Sequence, residues 1–230
     1  MKHIECPSPN QDERGGAAID MLVLHYSGML TAQAALERLC DPGARVSAHY
    51  AIDEGGTIHA LVPEPRRAWH AGISFWAGAR DINARSIGIE LVNPGHEFGY
   101  RAFPEAQIVA LTGLCQEILA RHAIVPWRVL GHSDVAPDRK EDPGELFPWK
   151  RLAAAGIGLW PAESDDPGAA AVAGLLARYG YDPDAAPEKI VTAFQRHFRP
   201  SCVDGMADDE TRRLLAGLVR LYDTQKRERA

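Results

Sequence analysis

Ile19-Asp20-Met21-Leu22-Val23-Leu24-His25-Tyr26 is the stretch from which the fold can be worked out. Its uninterrupted apolar run, residues 21–24, predicts a buried strand. His25 stands at the end of this strand, where a rigid element would hold its imidazole in place, as a metal site requires. The stretch therefore predicts both a core strand and a potential nitrogen ligand at its end.

Secondary-structure signals continue on the carboxyl side of this stretch. Apolar residues at helical spacing predict helices over residues 31–40 and 104–122. Further strands are predicted over residues 47–52 and 57–62, which a hairpin turn joins, and over residues 86–92 and 129–130. Strands and helices thus interleave through about residue 150, which indicates an α/β arrangement.

The pattern changes after a linker rich in proline and acidic residues at residues 160–168. Only helices are predicted beyond it, over residues 169–179, 187–198 and 208–222, and they would form a small three-helix bundle. At about 65 residues such a bundle is near the lower limit for independent stability, so we expect it to pack on the larger domain. The predicted division is an extended lead-in at residues 1–18, a larger domain at residues 19–160 and the bundle at residues 163–230.

The composition limits the class of protein and its surroundings. With 46% hydrophobic and 24% charged residues, the 230-residue chain fits a soluble globular protein, and its net charge of −6 argues against nucleic-acid binding. No window is long enough for a transmembrane helix, and the N-terminus lacks the apolar region of a signal peptide. Cys6, Cys40, Cys115 and Cys202 form no C-x-x-C pair, which favours a reducing compartment, with two distant disulfides as the alternative. We therefore expect a cytoplasmic protein.

A second informative stretch is Gly131-His132-Ser133-Asp134-Val135-Ala136-Pro137-Asp138-Arg139-Lys140-Glu141-Asp142-Pro143-Gly144. Its His132 and Asp142 are of the residue types that bind catalytic zinc, which keeps an open position for water. Two protein ligands cannot hold such an ion alone, and His25 is the best candidate for the third. The alternative is a simple turn, since Ser and Asp side chains hydrogen-bond the local backbone.

Five separated motifs carry a resemblance to a known family. They are Val23-Leu24-His25-Tyr26-Ser27, Val46-Ser47-Ala48-His49-Tyr50, Ala68-Trp69-His70-Ala71-Gly72, Ser86-Ile87-Gly88-Ile89-Glu90 and the Gly131 to Gly144 run. In this order and spacing they resemble the zinc-dependent N-acetylmuramoyl-L-alanine amidases of type 2, over roughly residues 19–150. The resemblance implies a mixed central β-sheet flanked by helices. The bundle is similar to small peptidoglycan-binding helical domains, at Ala193-Phe194-Gln195-Arg196 and Asp204-Gly205.

The resemblance also implies roles for individual residues. His25, His132 and Asp142 would hold one zinc ion per chain, Glu90 would be the general base or water-positioning carboxylate, and Lys140 would face the developing oxyanion. A carboxylate on an apolar strand needs a partner, which leaves Glu90 few structural explanations, whereas Lys140 on sequence alone fits a solvated charged loop.

Substrate contacts are implied for His49, Tyr50, Trp69, His70 and Asn93. The alternatives are a core histidine for His49, packing for Trp69 and His70, and a strand cap for Asn93. Ala48 and Asp142 stand where bacteriophage members have a tyrosine and a cysteine. These departures favour the AmpD-type and AmiD-type members.

The expected activity is hydrolysis of the amide between N-acetylmuramic acid, or its anhydro form, and the L-alanine of the peptidoglycan stem peptide. The alternatives are a non-catalytic peptidoglycan-recognition module and a zinc endopeptidase that cuts within the stem. AmiD-type members with the extra domain are typically envelope lipoproteins, while AmpD-type members are cytoplasmic and recycle muropeptide fragments. We expect cytoplasmic recycling, with the bundle as a structural support; the envelope is the alternative if the native N-terminus is missing. The sequence does not predict the oligomeric state.

Overall fold

A six-stranded mixed sheet forms the centre of the computed structural model, which describes residues 3–229. The strand order is β1-β5-β4-β7-β3-β8, and β4, β7, β3 and β8 run parallel to one another. The antiparallel β4–β5 pair is the predicted hairpin. The strands are β1 Ile4–Glu5, β2 Gln11–Glu13, β3 Met21–Tyr26, β4 Tyr50–Ile52, β5 Ile58–Ala60, β6 Arg66–Ala68, β7 Ser86–Leu91 and β8 Val129–Gly131.

Helices cover both faces of this sheet. They are α1 Ala32–Cys40, α2 Ile82–Arg85, α3 Gly95–Phe98, α4 Glu105–Arg121, α5 His132–Val135, α6 Trp149–Ala154, α7 Val172–Tyr179, α8 Pro187–Phe198 and α9 Asp209–Glu228, with short 3-10 turns at Pro126–Arg128 and Ala169–Ala171. Thr31, the first residue of the predicted helix, instead caps α1 by accepting a hydrogen bond from the backbone N–H of Ala34. The predicted mixed α/β fold with a helical C-terminal part is confirmed.

The alternation of side chains along β3 explains how one strand serves two cores. Leu22 and Leu24 pack in the cluster that includes α4, whereas Met21 and Val23 pack in the cluster that includes α7, α8 and α9. Because successive strand residues point to opposite faces, a continuous apolar run is what a strand covered on both faces requires.

The C-terminal helices share the second of these cores. Phe194 and Phe198 of α8 and Leu215 of α9 belong to the same buried cluster as Met21 and Val23 of the sheet. The bundle therefore packs on the larger part of the chain, as its small size led us to expect.

Several boundaries differ from the sequence prediction. Within the predicted lead-in, β1 pairs with β5 and β2 pairs with β6, a strand that was not predicted; Met1 and Lys2 lie outside the described residues, as does Ala230 at the other end. Helix α9 runs to Glu228, beyond its predicted end at residue 222. Among the helices of the described residues, none has the length and apolar character needed to cross a membrane.

Candidate active site

The carboxyl ends of three neighbouring parallel strands bring the candidate residues together. His25 lies near the end of β3, Glu90 is its register partner on β7, and His132 directly follows β8. In open α/β sheets ligands bind at this edge, because the loops that leave it are free to converge. The parallel register thus converts three distant sequence positions into one site.

Three buried side chains form what we name the ligand cluster: His25, His132 and Asp142. The Nδ1 atoms of the two histidines are 3.0 Å apart, and each is 3.0 Å from Oδ2 of Asp142. Asp142 is held in place by its own backbone, since its carbonyl accepts a hydrogen bond from the N–H of Ser133. The loop and the strand end therefore present three potential metal ligands to one point.

The hydrogen bonds on the far sides of the rings define which nitrogen carries the proton. Nε2 of His132 is 3.0 Å from the carbonyl oxygen of Ala71, which can only accept, so this Nε2 is protonated and Nδ1 is bare.

The protonation of His25 is fixed through a chain of hydrogen bonds that includes His70 and Ser86. The hydroxyl of Ser86 donates to the carbonyl of Ile82, so Ser86 accepts from Nε2 of His70; Nδ1 of His70 then accepts from Nε2 of His25. The Nδ1 of His25 is therefore bare as well. Gly88 leaves room for this arrangement, because a Cβ there would lie 2.4 Å from the ring of His70.

Two bare nitrogens and a carboxylate oxygen in mutual contact repel one another unless a cation lies between them. Burial, followed by the neighbouring His132, lowers the pKa of His25 to about 4, which keeps its imidazole neutral as ligation requires. Ligand atoms of a tetrahedral zinc with bonds of about 2.0–2.1 Å lie about 3.3 Å apart, close to the observed separations. The residues present thus fit a metal ion, and nitrogen–nitrogen–oxygen donors suit catalytic zinc.

Glu90 lies beside the ligand cluster. Its Oε2 is buried and has no hydrogen-bond partner among the described residues. Burial, reinforced by the Asp142 carboxylate and opposed by the Lys140 ammonium, raises the pKa of Glu90 to about 8. An unpartnered carboxyl group with a pKa near neutrality is suited to accept and return a proton.

Glu90 lines a cleft of about 400 Å³ together with His132 and Asp142 of the ligand cluster. Lys140 lines this cleft, and the side chain makes no hydrogen bond or ion pair with any of the described residues. Trp69 and His70 line it too, and the indole N–H of Trp69 is buried without a partner in the described part of the chain. Lys140 is therefore available to a bound molecule, whereas both ring nitrogens of His70 are engaged by His25 and Ser86.

Three of the predicted substrate contacts lie elsewhere. His49 is sealed off by Arg14, whose Nη2 is 2.7 Å from its Nε2, and its Nδ1 accepts from the N–H of Gly88. Tyr50 donates to Glu64, and the amide of Asn93 is taken up by the backbones of Arg101 and Gly95. None of the three lines the cleft, so the geometry gives them structural roles and does not support substrate contact.

Two cleft residues had no signal in the sequence. His96 contacts the hydroxyl of Tyr26 through Nδ1 at 2.9 Å and Glu145 through Nε2 at 3.1 Å. Arg139 donates to the carbonyl oxygens of Ala71 and Ile73 and thereby ties the loop beside the ligand cluster. His96 and Arg139 contact residues that are far away in the chain, so no local pattern predicts these contacts. Only the position of the two residues in charged or glycine-rich loops could have indicated them.

A second buried polar cluster, which we name the anchor cluster, joins this loop to the C-terminal helices. It consists of Asp134, Tyr181 and His197. Asp134 accepts hydrogen bonds of 2.7 Å from the Tyr181 hydroxyl, from Nδ1 of His197 and from the N–H of Gly131. The ring of His197 stacks on Trp149 with centroids 3.7 Å apart. No local sequence pattern marks His197, because its partners come from distant segments.

Sequence comparison relates this chain to known proteins. Residues 15–145 match the family described as N-acetylmuramoyl-L-alanine amidase. The N-acetylmuramoyl-L-alanine amidase AmiD of Escherichia coli K12 is 41% identical over 233 residues, which cover 89% of this chain and 83% of AmiD. The 1,6-anhydro-N-acetylmuramyl-L-alanine amidase AmpD of the same strain is 37% identical over 140 residues, which cover 61% of this chain and 73% of AmpD.

Solved structures of similar proteins extend over nearly the whole chain. The structure of E. coli AmiD with anhydro-N-acetylmuramic acid-L-Ala-D-γ-Glu-L-Lys superposes with a TM-score of 0.80 at 40% identity, covering 90% of this chain and 92% of AmiD. AmpDh3 from Pseudomonas aeruginosa, in complex with anhydromuramic pentapeptide, gives a TM-score of 0.82 at 35% identity and covers 92% of this chain and 93% of AmpDh3. Both similarities include the C-terminal helices as well as the sheet.

Proposed function

The chain belongs to the N-acetylmuramoyl-L-alanine amidase family, and from this premise we propose how its cleft works. The protein hydrolyses the amide bond between N-acetylmuramic acid, or its anhydro form, and the L-alanine of the peptidoglycan stem peptide. The observation that carries the proposal for the site is the convergence of three bare ligand atoms beside the unpartnered carboxyl group of Glu90.

In this proposal His25, His132 and Asp142 hold one zinc ion. When bound, zinc acts as a Lewis acid that polarises the scissile carbonyl and lowers the pKa of water to about 7. The far-side hydrogen bonds of the two histidines keep their Nδ1 lone pairs turned towards the ion. The protein thereby supplies the ligand orientation before the ion arrives.

Glu90 moves the proton. Its carboxylate accepts a proton from the attacking water as the new carbon–oxygen bond forms. The same carboxyl group then returns the proton to the L-alanine nitrogen as the carbon–nitrogen bond breaks, so that a free amine and a lactyl carboxylate leave. Lys140, without a partner among the described residues, stabilises the negative charge that develops on the carbonyl oxygen.

The test uses anhydro-N-acetylmuramic acid-L-Ala-D-γ-Glu-L-Lys, the substrate held by the related AmiD. We expect the zinc-loaded protein to release the intact tripeptide, identified by mass. Glu90→Gln should keep its zinc while kcat falls by about 10²- to 10⁴-fold. Glu37→Gln, which alters an exposed carboxylate on α1, is the matched control and should leave kcat unchanged.

Each alternative gives a distinct result in this assay. Cleavage inside the peptide would indicate an endopeptidase, and binding without turnover by the zinc-loaded protein would indicate a recognition module. Equal turnover by Glu90→Gln would remove Glu90 from the mechanism while leaving the activity in place.

We further propose that soluble anhydro fragments are the main substrate and that the C-terminal helices support the cleft. The shared core of Phe194 and Phe198 with Met21 and Val23 supports the structural role, and the anhydro ligands of AmiD and AmpDh3 support the substrate. The predicted cytoplasmic location goes with this substrate and stays a prediction, which cell fractionation checks. Two measurements on the full chain test this substrate assignment: its rates on anhydro-muramyl tripeptide and on intact sacculi, and its sedimentation with sacculi. Faster cleavage of sacculi, together with sedimentation, would favour the envelope.

A further inference from the structure

Two cysteines that are distant in sequence lie close together at the end of helix α1. Cys6 directly follows β1, and Cys40 is the last residue of α1. Their Sγ atoms are 3.6 Å apart although the residues are separated by 34 positions. Both side chains are partly exposed, so a small reagent can reach them.

The backbone around the pair is already fixed without a covalent bond. The N–H of Cys6 donates to the carbonyl of Ala60, and the hydroxyl of Ser8 donates to the carbonyl of Leu39 at 2.6 Å. The side-chain amide of Asn10 donates to the carbonyl of Asp41 at 2.9 Å. Because these bonds hold both chain segments beside each other, the sulfur atoms need only a side-chain adjustment to reach a bond length of about 2.0 Å.

The other two cysteines are poorly placed for the same reaction. Cys115 is completely buried in the core formed with α4, so that no reagent in solution reaches its thiol. Cys202 lies in the C-terminal part, where its thiol contacts Asp204. The Cys6–Cys40 pair is thus the one with both proximity and access among the four cysteines, all of which lie in the described part of the chain.

We propose that Cys6 and Cys40 are a modification site that forms an intramolecular disulfide. The oxidant is another disulfide, of the glutathione or thiol–disulfide oxidoreductase type. One thiolate attacks the oxidant and releases its first thiol; the second cysteine then attacks the mixed disulfide and releases the other. The protein thereby loses two protons and two electrons, and the oxidant is reduced to two thiols. In a reducing compartment the pair stays as two thiols.

The crosslink would tie down a helix that borders the active site. Ala35, Arg38 and Leu39 of α1 line the cleft, and the closed loop from Cys6 to Cys40 contains His25. Linking these ends restricts the unfolded chain, so we expect the oxidised protein to melt about 5–10 °C higher. Zinc binding should be unchanged, because neither cysteine contacts the ligand cluster.

The full-length protein is equilibrated with reduced and oxidised glutathione at graded ratios, trapped with an alkylating reagent and digested for peptide mass analysis. Oxidising mixtures should link the Cys6 and Cys40 peptides and raise the melting temperature, and dithiothreitol should reverse both effects. Cys40→Ala should abolish both, and Cys202→Ala, the matched control, should behave as the unaltered chain.

Two further outcomes count against the proposal. Free Cys6 and Cys40, or a glutathione adduct that never resolves, would show that the sulfur atoms do not meet. Linkage between two chains would assign the cysteines to an intermolecular contact. If Cys40→Ala does not fold, the linked peptides of the unaltered chain still decide.

Discussion

The ligand cluster and the anchor cluster are both built from a buried aspartate and buried histidine, yet their chemistry is opposite. In the anchor cluster Asp134 accepts hydrogen bonds from Tyr181, His197 and Gly131, so that its charge is met by protons. In the ligand cluster Asp142 faces two imidazole nitrogens whose protons are committed to the far sides of the rings. The Asp142 carboxylate therefore faces the lone pairs of two unprotonated Nδ1 atoms and not hydrogen-bond donors.

This difference separates a structural site from a metal site. A buried carboxylate with several donors is stable as it stands, and removing it leaves the donors unpaired. A buried carboxylate that faces lone pairs is stable only with a cation. The residue types alone do not separate the two, since His132 and Asp134 lie in the same short helix and serve different clusters.

The largest effect should come from Asp142→Ala. It removes one of three proposed ligands, so zinc content and kcat should fall by orders of magnitude. The free energy of unfolding of the zinc-free protein should stay unchanged or rise, because a repulsive arrangement is relieved. Metal analysis and urea unfolding in the presence of a chelator measure the two quantities.

The distinction between a metal site and a structural site would be wrong if Asp142→Ala kept its zinc, or if this substitution strongly destabilised the zinc-free protein. The first result would show that the ligand set is wrong. The second would show that Asp142 is held by donors, as Asp134 is.

An intermediate effect is expected in the anchor cluster. His197→Gln removes a buried hydrogen bond to a charged group and the stacking on Trp149, and should lower the free energy of unfolding by about 2–4 kcal/mol. Zinc affinity measured at a temperature where the variant is folded should stay within a few-fold of the unaltered chain. His122→Gln, which alters a half-buried histidine paired with Glu64 away from both clusters, provides the comparison.

A loss of zinc by folded His197→Gln, with little loss of stability, would reverse the assignment. The C-terminal helices would then act on the metal site and not merely support the fold.

The sequence predicted the core strands well, because they depend on local patterns, and it supplied the ligand candidates on which the proposal for the site rests. The apolar run of β3 and its terminal histidine are visible directly, and the family resemblance supplied Glu90 and Lys140. Tyr50 was misplaced because one step along a strand reverses the face: its register partner is Ile89, whereas its neighbour Ala51 pairs with Glu90.

The contacts of His70 and His197 could not be predicted from local pattern. His70 meets residues 45 positions before it and 16 after it, and His197 meets Asp134 across 63 positions. No periodicity encodes such pairs. They depend on the loops that the sheet topology brings to one edge.

The smallest effect is expected at Ser86, the last residue in the chain of hydrogen bonds that runs from His25 through His70. Ser86→Ala removes the acceptor for Nε2 of His70, so the proton on His70 is no longer confined to that nitrogen. Part of the population would then place a proton on Nδ1 of His70 and turn the lone pair of His25 away from the metal. Because outer hydrogen bonds of metal ligands typically contribute 10- to 100-fold to affinity and Ser86 is one step further out, we expect zinc affinity to fall by about 3- to 10-fold.

Competition with a chromophoric chelator measures the affinity, and nitrogen chemical shifts of the zinc-free protein report the tautomer of His25 directly. Ser74→Ala, which removes a hydroxyl that donates to the Gly72 carbonyl, is the matched control and should change neither quantity. An unchanged tautomer together with unchanged affinity in Ser86→Ala would show that His25 is oriented by its strand alone.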